Sequence, residues 1–79
     1  MTLSAWYEFN KPFLRAFSFK IIVKKFYGDE EEIVLQNDNI IIDDAIDLYG
    51  PLEVLEVIPV VMCYTAILEI ILKKEVSQR

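Results

Sequence analysis

Histidine is absent from this 79-residue chain, cysteine occurs once and glycine only twice. Histidine is the side chain that ordinarily titrates near neutral pH, so its absence excludes Ser–His and Cys–His nucleophilic arrangements. One thiol and no imidazole cannot fill the usual ligand set of a structural zinc ion. With Gly28 and Gly50 as the only glycines, no Gly-rich loop is present to cradle a phosphate. The expectation is a protein that is not an enzyme and takes no cofactor. A basic region followed by an apolar run, the mark of a secretory leader, is also missing from the N-terminus, where Trp6, Tyr7 and Glu8 stand instead. Cys63 lies between Met62 and Tyr64 within an apolar stretch. A lone cysteine rules out an intrachain disulfide, and its neighbours predict a buried, inert thiol in a reducing, cytoplasmic setting.

The length allows one domain, residues 1–79, which buries only about 60–65% of the surface its unfolded chain exposes. Hydrophobic residues make up 54% of the chain, above the usual range of about 45–50%. A small core does not hold that much apolar side chain, so a homodimer or higher oligomer is expected, joined through strand edges or a surplus apolar face. The apolar excess is concentrated in Val54 to Leu72, where Glu56 and Glu69 are the only charged side chains. Its length and the following Lys73-Lys74 pair raise the rival reading of a small membrane or membrane-associated protein. Glu56, Pro59 and Glu69 break the run, and Val57 to Leu68, twelve residues, suits a buried core element better than a span.

Charge is segregated along the chain. Residues 1–27 carry plus four, residues 28–56 carry ten carboxylates and no base, and residues 57–79 carry plus one. The middle third is an acidic block.

In chain order, Trp6, Phe9, Phe13 and Phe17 recur at helical spacing, and Pro12 interrupts that helix. Residues 1–16 therefore read as an aromatic N-terminal arm packed on the sheet or on a neighbouring subunit. From Phe17 to Tyr27 the alternation has period two, with Phe17, Phe19, Ile21 and Val23 on one face, and predicts a strand. Gly28-Asp29 supplies a turn. Glu32 to Gln36 and Asn39 to Ile42 read as two further strands, joined by a tight turn at Asn37-Asp38-Asn39. Asp43 to Tyr49 reads as a short helix capped by Asp43 and stopped by Gly50-Pro51. Leu52 to Ile58 favours a strand that Pro59 ends. Val60 to Leu72 holds six β-branched residues, which favours a strand over a helix. Residues 73–79 form a solvated tail. The expected fold is a β-rich α+β domain, an antiparallel sheet of four or five strands with short helical elements. The alternative is a three-stranded sheet packed by a C-terminal helix from Val60 to Glu75.

Only the carboxylates are dense enough to suggest a site. Asp43 and Asp47 stand one helical turn apart beside Asp44 and offer oxygen ligands of the type hard cations take, yet EF-hand spacing is absent and capping with solubility explains the group. As a surface, Asp29, Glu30, Glu31, Glu32, Asp38, Asp43, Asp44 and Asp47 imitate the phosphates of a nucleic acid and would steer a basic or nucleic-acid-associated protein partner. Direct nucleic-acid binding has little basis, because Lys20, Lys24 and Lys25 read as protection of a strand against edge-to-edge pairing. The functional expectation is a small, self-associating interaction protein, an inhibitor or regulator. A structural subunit of a larger assembly is the further alternative.

Overall fold

In Phe19, Ile21 and Val23 the period-two pattern does what the sequence leads one to expect: all three are buried on one face of a strand, β1, Ser18–Tyr27. A computed structural model describes residues 1–74 of the chain. β1 turns at Gly28-Asp29 into β2, Glu30–Ile40. A helix, α2, Ile42–Tyr49, carries the chain across the sheet to β3, Glu53–Met62, which hairpins into β4, Thr65–Lys73. Ahead of the sheet, α1, Leu3–Asn10, runs into a 3-10 segment, Lys11–Ala16, at Pro12.

The result is the expected small α+β domain with four strands, in the order β2-β1-β4-β3. Both hairpins are antiparallel, and the central pair, β1 with β4, is parallel. The sheet is thus mixed, because α2 returns the chain to the far edge before the second hairpin begins. β1 and β4 pair only over Ser18–Lys24 and Ile67–Lys73. The β1–β2 hairpin therefore projects at one end and the β3–β4 hairpin at the other, which stretches the molecule to 44 Å against a thickness of 17 Å.

One face of the sheet carries the core. Phe19, Ile21, Val23, Leu68, Ile70 and Leu72 cluster with Leu3, Leu14 and Ala45 from the helical segments. Trp6, Tyr7, Ile46 and Tyr49 pack around them, half-buried. Among the described residues, no helix lies over the opposite face. There Ile22 and Ile71 retain 8% exposure each, shielded by the stems of the long charged side chains beside them, Lys20, Lys24, Glu69 and Lys73.

Several expectations are corrected. The helical alternative for Val60 to Glu75 fails, since that segment forms the end of β3, a two-residue turn and β4; Glu75 lies outside the described residues. The tight turn at Asn37-Asp38-Asn39 does not form. β2 continues through it, and Asn39, at φ 58°, sits in a bulge where two residues oppose Lys20. Asparagine tolerates that left-handed conformation, which serves a bulge as well as a turn. Asp43 does not cap α2. The helix starts one residue earlier, with Ile41 at the cap position and no side-chain cap bond, so Asp43 and Asp44 fall inside the first turn, where they complement the helix dipole. Gly50 ends α2 in an ordinary right-handed conformation, with φ −51°.

Pro59 does not end a strand. Met62 and Thr65 close a two-residue hairpin and exchange hydrogen bonds; counting back in alternation places Pro59 opposite Leu68 at a non-hydrogen-bonded position. Its missing N–H would have faced the open edge, so the ladder loses nothing. Cys63 is exposed, not buried, because the apolar run folds back on itself there. Cys63 at φ 48° and Tyr64 at φ 67° form the turn, both in the left-handed region that type I′ hairpins require. In the N-terminal arm, Trp6 and Phe17 pack on the core, whereas Phe9 and Phe13 point outward at 75% and 71% exposure. Of the expected tail, Lys73 belongs to β4 and the Lys74 N–H donates to the Lys24 carbonyl; residues 75–79 lie outside the described residues.

Candidate protein-interaction surface

Eight of the ten carboxylates of the acidic block fold onto one edge of the sheet and the helix beside it, while Glu53 and Glu56 stand on β3 at the opposite edge. β2 is the edge strand next to β1, and α2 lies along its inner flank: Asn37 Nδ2 donates to Tyr49 Oη at 3.4 Å, and Leu48 and Tyr49 border a concavity with Val34 and Leu35. All eight carboxylates from Asp29 to Asp47 are exposed.

They form two groups. Asp29 occupies the turn and Glu30, Glu31 and Glu32 open β2. Register against β1 places Glu30 and Glu32 on the helix side of the sheet and Glu31 on the open side, where it forms an ion pair with Lys24. Five to ten residues further along β2, roughly 15–30 Å away at about 3.3 Å per residue, Asp44 and Asp47 of α2 meet Asn37, Asn39, Ile40, Ile41 and Leu48 around a shallow concavity of about 560 Å³. Asp38 points to the open face, 3.8 Å from Lys20, which also stands 3.8 Å from Glu69. Asp43 turns toward α1 and accepts a hydrogen bond from Tyr7 Oη at 3.4 Å. The block is therefore a line along an edge with a cluster at each end. Among the described residues, no three carboxylate or thiol side chains converge on a point that could hold a metal ion.

Sequence reasoning passed over three features. Ile33, Val34 and Leu35 are exposed on β2, at 54%, 37% and 38%; an edge strand leaves such residues uncovered, and edge position is not a local property. The open sheet face, on which Ile22, Ile58, Val60, Ile67 and Ile71 share one side, depends on register between strands. The tip of the second hairpin, with Val61 and Tyr64 exposed, lacks the Asn-Gly or Asp-Gly signal that would have announced it.

No family model, curated protein or solved structure matches the chain. Among the described residues, no helix is long and apolar enough to cross a membrane.

Proposed function

We propose that this chain is a non-enzymatic interaction protein that presents the β2 edge and the outer flank of α2 to a basic, nucleic-acid-associated protein partner, as an inhibitor or regulator. The observation that carries this reading is the exposure of all eight carboxylates along one edge, with only Glu31 and Asp38 paired to lysines among the ion pairs of the described residues. Fixed negative charge of one sign raises the encounter rate with a basic partner and repels acidic ones. The protein works in a reducing cytoplasm, where the exposed Cys63 remains a free thiol.

It also self-associates, through the open face of the sheet. Ile58, Val60 and Ile67 are half-buried there around Ile22 and Ile71, and a second layer over them would remove that apolar surface from water. If the open face alone does the joining, the chain is instead a structural subunit whose acidic edge merely keeps it soluble.

Reversing both ends of the acidic line together, with Asp29, Glu30, Glu32, Asp43, Asp44 and Asp47 replaced by lysine, separates these readings. Binding of a lysine-rich polypeptide, followed by fluorescence anisotropy at two salt concentrations, should fall by about tenfold or more, equivalent to about 1.4 kcal/mol or more, and oligomeric mass by light scattering should stay unchanged. Unchanged binding would rule out the acidic surface and leave the structural subunit.

A further inference from the structure

The two edges of the sheet are finished differently. The β3 edge is closed three times over. The N-terminal residues pair with its beginning, where the Val54 N–H donates to the Met1 carbonyl at 2.8 Å and Thr2 bridges to Glu53. A bulge at Leu55 interrupts it next, and Pro59 removes an outward N–H beyond that. The first four residues of the β2 edge, Glu30 to Ile33, have none of these devices before the first bulge at Val34.

Register decides which of its backbone groups are free. Gly28, at φ 64°, and Asp29 form a two-residue loop, so Tyr27 and Glu30 are a hydrogen-bonded pair. Alternation then makes Phe26–Glu31 and Lys24–Ile33 non-hydrogen-bonded pairs, and the N–H and C=O groups of Glu31 and Ile33 point away from the sheet. Both residues are exposed.

We propose that this edge takes an added β-strand, and that the occupant is an extended segment of a partner protein with basic residues at alternate positions. The proposal rests on the acidic-surface reading above and supplies its mode of binding. Main-chain hydrogen bonds to Glu31 and Ile33 align the segment. Glu30 and Glu32 share the helix side of the sheet two residues apart, so alternate side chains of an added strand stand beside them, and lysine or arginine there complements both carboxylates. The intervening positions lie on the open side with the exposed Ile33 and favour an apolar residue; Glu31 on that side is already paired with Lys24. Lys25, opposite Glu32, offsets part of the charge, which leaves Glu30 and Asp29 as the stronger anchors. A second copy of this chain is a poor occupant, because β2 against β2 sets one Glu30 to Glu32 run near another and like charges across a pair are destabilising.

The test uses the full chain and an acetylated, amidated peptide of alternating lysine and valine, with a control peptide N-methylated at alternate residues to keep its charge and lose edge hydrogen bonds. Binding is measured by calorimetry and amide exchange by NMR. Strand addition requires that the peptide slow exchange at the Glu31 and Ile33 amides by about tenfold or more, and that N-methylation and Ile33→Pro each weaken binding by about tenfold. Because the control peptide acts on the unaltered protein, a folding defect in Ile33→Pro cannot imitate the result. Equal binding of both peptides without change at those amides, combined with loss of binding in Glu30→Lys/Glu32→Lys, overturns strand addition and leaves the acidic surface standing. Indifference to those reversals, or no binding of either peptide, overturns both. Protection of the same amides that rises with protein concentration and needs no peptide makes a second copy the occupant and also overturns the proposal.

Discussion

The side-chain oxygen of Ser4 occupies the space that a β-carbon on Gly50 would need, and the Ser4 N–H donates to the Gly50 carbonyl at 3.0 Å. This approach fastens α1 to the end of α2. The Ile46 carbonyl oxygen crowds the same space, 2.6 Å from where that β-carbon would lie. Since Gly50 has an ordinary φ, its need for glycine is steric and not conformational. Gly50→Ala should therefore destabilise the protein by about 1–3 kcal/mol, read as a lower urea midpoint at unchanged slope. A midpoint equal to that of the unaltered protein would mean that α1 shifts freely to admit the methyl group.

The Cys63-Tyr64 turn holds two non-glycine residues at positive φ. Such conformations cost about 1–3 kcal/mol each unless the residue tolerates the left-handed region. Replacing the pair by Asn-Gly, the sequence this turn type prefers, should raise stability by about 1–3 kcal/mol, checked by thermal unfolding monitored by circular dichroism. A fall in stability would show that the exposed tyrosine makes a contact worth more than the relieved strain.

Pro59 keeps the β3 edge from pairing without weakening its own ladder. Pro59→Thr restores the outward N–H. Urea stability should move by no more than about 0.5 kcal/mol, while light scattering should reveal new concentration-dependent association. If stability drops and association is unaltered, the proline serves the ladder and not the edge.

On the open face, Val60 and Ile67 stand directly opposite each other and are half-buried. Val60→Glu with Ile67→Lys puts an ion pair where apolar surface was and keeps net charge constant. The variant should run as a monomer in size-exclusion chromatography with light scattering, while binding of a lysine-rich polypeptide is unchanged. An oligomer of the original mass would place self-association elsewhere.

Legibility from sequence followed how local the cause was. The first strand was plain because Phe19, Ile21 and Val23 alternate with Ser18, Lys20 and Lys24, broken only by Ile22, within one segment. The Gly28-Asp29 turn and the helix ended by Gly50-Pro51 were readable for the same reason, through backbone freedom and a missing donor. The second hairpin was not, because nothing in Cys63-Tyr64 favours a turn; the register of β4 against both β1 and β3 imposes it. Asn37 to Asn39 misled in the opposite direction, since asparagine at positive φ serves a turn and a bulge equally, and only pairing with β1 distinguishes them.

The candidate surface divides along the same line. The sequence by itself determined a small α+β domain with an acidic middle third and an apolar excess, because these depend on side-chain chemistry and short-range alternation. Tertiary structure alone decided that eight of the ten carboxylates of the acidic third lie along one free sheet edge, that the opposite edge is closed, and that part of the apolar excess lines a face over which the described residues place no helix. Strand order and register bring together residues such as Glu53 and Thr2, or Ile22 and Ile71, whose separation in the chain leaves no periodicity to read.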